Sequence, residues 1–196
     1  MYSVFMSTSE RLIESAQDLL WERGYVGTSP KAIQQRAGAG QGSMYHHFSG
    51  KPALAQAAIE RTAEEMRATA EQSLSGPGGS YERIRGYLLR ERDVLRGCPI
   101  GRLTMDPEVL ADPQLREPVQ ETLRWLHGRL AGIVAEGRER GEFAAALDPE
   151  QTAATIIATV QGGYVLARAA GLTGPFDAAV QGLLTLLAPD ERPAAL

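Results

Sequence analysis

Apolar residues recur at three- and four-residue spacing along most of this chain, and no segment alternates apolar with polar residues as a half-buried strand does. That pattern restricts the fold to an all-α architecture. The first helix opens at Ser7 and Glu10, a capping-box spacing, carries Leu12, Ile13, Ala16, Leu19 and Leu20 on one stripe, and ends at Gly24. Ser29-Pro30 opens a short second helix with Ala32, Ile33 and Ala37 facing inward. Gly38-Ala39-Gly40 forms a tight turn, a third helix covers 41–47, Ser49-Gly50 breaks it, and a long fourth covers 51–74.

Ser75-Gly76-Pro77-Gly78-Gly79-Ser80 is the strongest breaker in the sequence. Helices are expected over 81–96 and 99–105, with Asp106-Pro107 and Asp112-Pro113 as punctuation before a long helix to Arg140. Asp148, with Gln151 three residues on, caps a helix bearing Ala153, Ile156, Ile157, Val160, Tyr164 and Ala167. A last helix over 175–187 carries Phe176, Val180, Leu183, Leu184 and Leu187, giving about nine helices in all. Two short helices beside a long one make a helix-turn-helix unit over 7–52, and the remainder is a larger helical bundle over 53–190.

The length of 196 residues suits one or two domains, and an apolar content of 43% supplies a core. The single cysteine, Cys98, can form neither an internal disulfide nor a cysteine-rich metal cluster, which fits a reducing compartment. No apolar run reaches the roughly 18 residues of a membrane span. The start, Met1 to Met6, lacks the basic and apolar regions of a signal peptide, so the expected location is the cytoplasm. No Gly-rich phosphate loop, Ser-His-Asp spacing or placed carboxylate pair is present, and His127 stands alone; no catalysis, cofactor or metal is expected.

The net charge of −4 is unevenly spread. Gly24 to Lys51 holds three basic residues (Lys31, Arg36, Lys51), two histidines and no acid, whereas the chain from Pro52 onward holds 15 basic and 20 acidic residues. Charge alone leaves a polyanion partner and a chance cluster both open. Within the segment, Ile33, Ala37, Met44 and Phe48 make a small core. The polar residues Thr28, Gln41, Ser43, Tyr45, His46, His47 and Lys51 fall mostly on the open face of the third helix and the flanking helix starts. Tyrosine, histidine and lysine reach backbone oxygens, Gln41 and Ser43 are short enough for base edges, and Gly42 permits close approach to a groove. Helix starts such as Ser29 present N–H groups to phosphates. The plainer alternative is a helical hairpin with a solvated face. Metal binding by His46 and His47 is disfavoured, since adjacent helical residues point about 100° apart.

The segment resembles the DNA-binding domain of the tetracycline-repressor (TetR) family of transcription regulators. The likeness runs from about Ser9 to Ala58 and rests on Glu22-Arg23-Gly24-Tyr25, Thr28-Ser29, Arg36-Ala37-Gly38, Gly42-Ser43-Met44-Tyr45-His46-His47-Phe48 and Lys51. It implies that the third helix enters the major groove of double-stranded DNA, with Tyr45, His46, Lys51 and Thr28 on phosphates and Gln41 near bases or phosphates. Gly40 departs from the family's usual serine cap of that helix.

For the larger domain, the resemblance implies a homodimer joined by the last two helices of each subunit, which carry broad apolar faces with Gly162, Gly163 and Ala167. Candidate interface residues are Ile156, Val160, Gly163, Val180, Leu183, Leu184 and Leu187. Two-fold symmetry matches a palindromic operator. The resemblance also implies a small-molecule effector held by the middle helices, with Met66, Tyr87, Cys98, Met105, Trp125 and Tyr164 as candidate contacts. Effector binding would shift the fourth helix and release a repressor from its operator. Arg96-Gly97-Cys98-Pro99 resembles a Gly-Cys element of a subgroup with electrophile- or oxidant-sensing members. Cys98 is therefore either a modifiable switch or a small packed residue. A helical interaction module without DNA binding is the remaining alternative.

Overall fold

Ser7 starts the chain's first helix by the exchange its spacing predicts: its hydroxyl accepts the Glu10 N–H at 3.2 Å, and its own N–H donates to the Glu10 carboxylate at 2.7 Å. These contacts come from a computed structural model that describes residues 6–188. The described residues form ten α-helices and no strand: α1 (Thr8–Arg23), α2 (Pro30–Ala37), α3 (Gln41–His47), α4 (Lys51–Leu74), α5 (Ser80–Leu89), α6 (Pro99–Leu103), α7 (Pro107–Ala111), α8 (Pro113–Glu139), α9 (Pro149–Ala170) and α10 (Gly174–Leu187). The all-α expectation holds. Met1–Phe5, which bear on the expected absence of a signal peptide, and residues 189 and 190 of the expected second domain lie outside the described residues.

Two departures from the expected helices have local causes. The helix expected over 81–96 stops at Leu89, because the Arg92 guanidinium donates to the carbonyls of Tyr87, Leu88 and Arg90 at 2.5, 2.8 and 2.9 Å. These are the orphan acceptors of a helix end, and a cation satisfies them well. The helix additional to the nine expected is α7. Asp106 accepts the N–H groups of Glu108 and Val109, Pro107 needs no partner, and a single helical turn forms where the Asp-Pro pairs read only as punctuation.

The chain forms two compact units. One extends to Met66 and takes in Cys98–Thr122; the other comprises Arg67–Gly97 and the described residues from Leu123 onward. The 52/53 boundary expected from sequence falls inside the first unit, in the first turn of α4.

In the first unit α1 packs against α2, α3 and α6, with Leu12, Ala16, Leu19, Ile33, Met44 and Leu54 buried. Ala32 and Phe48, expected to be core, are only half-buried. Arg11 Nε donates to the last carbonyl of α2, Ala37 O, at 3.2 Å. Asp106 also reaches outside its own helix: its second carboxylate oxygen accepts the Val26 N–H, in the turn before α2, at 2.9 Å.

In the second unit α9 and α10 form an antiparallel pair, and α5 packs against α10. Gly163 makes the close approach possible. A Cβ there would lie 2.9 Å from Cδ2 of Phe176, whose ring stacks on Tyr164 at 4.9 Å. Arg129 grips Glu71 through two bonds of 2.8 and 2.7 Å, and the Glu71 carboxylate, which also accepts from the Ser75 hydroxyl, is held down at about 2.

Candidate nucleic-acid interface

The two short helices are fixed end by end. Ser29 Oγ accepts the Ala32 N–H at 3.2 Å, Pro30 occupies the first turn, and Gly38 closes α2 in the left-handed region at φ 58°. After the turn at Ala39, Gly40 is the N-cap of α3 and offers no side-chain acceptor, so the missing serine hydroxyl leaves the first turn of α3 uncapped by a side chain. Met44 is fully buried and pins α3 to the core, with Gln34 Nε2 3.3 Å from its sulfur.

With Met44 turned inward, Gln41, Gly42, Tyr45, His46 and His47 are exposed and Ser43 is half-buried. Tyr45 leaves 50% of its surface in solvent. A helix of seven residues is about 10 Å long, comparable with the roughly 12 Å width of the B-DNA major groove. Among the described residues, nothing beyond its chain neighbours and the backbone of its own helix lies within 4 Å of a Cβ built on Gly42. Internal packing therefore gives no reason for glycine in the first turn of α3, where alanine is the better helix former. The His46 and His47 rings meet edge to face at 5.1 Å, and among the described residues no group of three metal-ligating side chains gathers.

Other expected contacts are placed differently. Thr28 is 2% exposed, and its hydroxyl donates to Gly24 O at 2.7 Å, so it faces the interior rather than the open side. Ser29 is exposed, with its hydroxyl engaged as the α2 cap. Lys51 lays its ammonium 3.8 Å over the ring of Tyr25 and remains half-exposed. Burial, followed by the negative charges of Glu108, Asp112 and Asp106, raises the Tyr25 hydroxyl above the usual tyrosine range. Arg36 is bound to Glu22 by two bonds of 2.8 and 2.9 Å, which raises the arginine further. Its charge is thus largely offset, and the positive field of the segment rests mainly on exposed Lys31 and on Lys51.

The candidate interface residues on α9 and α10 are also placed differently from expectation. Ile156, Val160, Gly163, Val180, Leu183, Leu184 and Leu187 are all buried within the chain, where α9 meets its neighbours. The opposite faces carry exposed Ala158, Gly162, Val165, Leu166 and Ala169 on α9, and Ala178, Gly182 and Leu186 on α10, with no charged residue among them. Leu186 is 82% exposed and Val165 67%. Both helices therefore have two apolar sides, and the outward one is unpartnered in a single chain.

The candidate effector contacts are divided between the two units. Met66, Cys98 and Met105 belong to the first unit, and Tyr87, Trp125 and Tyr164 to the second. Met105 is 84% exposed. Cys98 is half-buried and caps α6, its sulfur accepting the Gly101 N–H at 3.1 Å. Tyr87 and Tyr164 are buried, and both act electrostatically on the guanidinium of Arg92. Arg92 and Arg90 carried no signal in the sequence pattern, and Asp106 read only as part of an Asp-Pro break.

A helix-turn-helix with a polar, outward-facing second helix, followed by a larger helical region, defines a class of bacterial DNA-binding regulators. Residues 12–58 match the family description "Bacterial regulatory proteins, tetR family", and residues 81–183 match "Tetracyclin repressor-like, C-terminal domain". The chain belongs to the TetR family of transcriptional regulators, which are DNA-binding proteins and not enzymes. The transcriptional repressor DhaR of a Mycobacterium species is 26% identical over 159 residues, covering 80% of each chain. The transcriptional repressor NemR of Escherichia coli is 25% identical over 189 residues, covering 92% of this chain and 94% of that one. The crystal structure of a TetR transcriptional regulator from Chloroflexus aurantiacus superposes with a TM-score of 0.78 at 30% identity, covering 91% of this chain and 92% of that one.

Proposed function

We propose that the protein is a homodimeric, cytoplasmic repressor that binds a palindromic operator and leaves it when a small molecule binds. The observation that carries this reading is the outward face of α3, where half-exposed Tyr45 and an internally unneeded Gly42 stand beside Gln41, His46 and His47. On this reading α3 lies in the major groove. Gln41 and Ser43 meet base edges, while Tyr45, His46, His47 and Lys51 meet phosphates. Ser29 lies beside the backbone at the start of α2, and buried Thr28 supports that turn from behind.

The uncharged outer faces of α9 and α10 support a two-fold dimer, because small residues let facing helices approach closely and a large exposed apolar surface is seldom left open. Among the described residues no helix is long and apolar enough to cross a membrane. The α6–α7 segment is tied to the lead-in of α2 through Asp106, so displacement of that segment would bear directly on the turn that starts α2.

The test is protection of promoter DNA, starting with the region upstream of the protein's own gene. A symmetric footprint spanning two half-sites about 34 Å apart supports the reading. Absence of any protection at low salt contradicts it.

A further inference from the structure

The end of α5 holds charge that the protein does not neutralise. The guanidiniums of Arg90 and Arg92 lie over the same ring, that of Tyr87, at 4.9 and 5.2 Å from its centroid. Arg92 spends its terminal nitrogens on the α5 carbonyls, but its Nε is buried without a partner. Arg90 makes no hydrogen bond with Nε or with one of its terminal nitrogens, both buried. Among the described residues no carboxylate forms an ion pair with either. Buried guanidinium nitrogens left unpaired are rare, because each forfeits its hydration for nothing.

Both arginines line a cavity of about 300 Å³, walled on its apolar side by Leu88, Phe176 and Val180. Glu91 and Asp177 also line it, and both are exposed rather than paired with the guanidiniums. Burial and the neighbouring Arg90 charge both disfavour the charged form of Arg92, a strain that a bound anion relieves. A guanidinium edge matches a carboxylate in shape and donor spacing, and the apolar wall suits an organic body better than an inorganic ion.

We propose that this cavity binds a small organic carboxylate, its carboxylate against Arg90 and its apolar body against Phe176 and Val180. The site deepens the proposed function by naming the chemical class of the effector, and its effect on operator release rests on that reading.

The experiment is calorimetric titration of benzoate into the full-length protein, with benzamide as the uncharged isostere. Arg90→Gln is the informative variant, since no hydrogen bond to another residue is made by the unpaired Nε and terminal nitrogen of Arg90, and its thermal unfolding checks the fold. Wild type is expected to bind benzoate saturably with one site per chain, with benzamide and Arg90→Gln each at least tenfold weaker. Arg90→Lys, which keeps the charge and loses the fork, is expected to fall between. No saturable benzoate binding by wild type, or equal binding by wild type and Arg90→Gln, overturns the site. DNA binding by ligand-free protein is measured alongside, so that loss of the site is distinguished from loss of the regulator reading.

Discussion

Asp106 offers a sharp test of how the first unit is held together. One carboxylate oxygen accepts the Glu108 and Val109 N–H groups at 3.2 and 3.4 Å and so caps α7; the other accepts the Val26 N–H at 2.9 Å and so fixes the turn before α2. The residue is 7% exposed, so water replaces these bonds poorly. Asp106→Ala removes both functions. Loss of an N-cap costs about 1 kcal/mol, and the buried Val109 N–H and the part-buried Val26 N–H left unpaired add about 1–3 kcal/mol. The expected destabilisation is about 2–4 kcal/mol. Asp106→Asn keeps one acceptor oxygen and sets an amide NH₂ against the remaining N–H donors, so about half that loss is expected. Urea denaturation followed by circular dichroism reads both variants. Values for both within about 0.5 kcal/mol of wild type, the range of ordinary surface changes, would refute the reasoning.

Other perturbations have equally definite outcomes. Gly163→Ala sets a methyl group 2.9 Å from the Phe176 ring, and an overpacking loss of about 1–3 kcal/mol is expected in thermal unfolding. Leu186→Glu places a charge on the unpartnered face of α10 and is expected to shift sedimentation from dimer to monomer without loss of helicity. Glu71 titrates lower in the folded chain than its ordinary 4.5, so its pairing with Arg129 stabilises above about pH 4.5 and is lost as pH falls toward about 2. The pair is more than a third exposed on the glutamate side, so screening holds its worth to about 1 kcal/mol or less. The stability gap between wild type and Glu71→Gln is expected to narrow from pH 7 to pH 3.

The parts of the fold legible in the sequence are those fixed by near neighbours in the chain. The Ser7–Glu10 box, the Ser29-Pro30 start and the Gly38 stop are local chemistry, and each forms as its spacing dictates. The end of α5 was not legible, because a guanidinium reaching back onto three carbonyls looks in sequence like one more helical arginine. Thr28 reads as a polar surface residue, yet its hydroxyl closes a turn onto Gly24. On α9 and α10 periodicity located apolar stripes but not which stripe faces inward. A helix with apolar residues on both sides presents two nearly equivalent solutions, and only packing against α5 and the Gly163–Phe176 approach separates them. The α3 face was legible because one buried methionine sets the orientation of every other side chain on so short a helix.

The most direct measurement is the salt dependence of operator affinity for wild type and Lys51→Gln. Each phosphate contact contributes about 0.9 to the slope of log affinity against log salt. Removing one cation from each of two protomers is expected to make the slope shallower by about 1.8, with similar weakening on variant operator sequences. An unchanged slope, or wild-type binding that ignores salt, would contradict a paired α3 seated in the groove with Lys51 on the backbone.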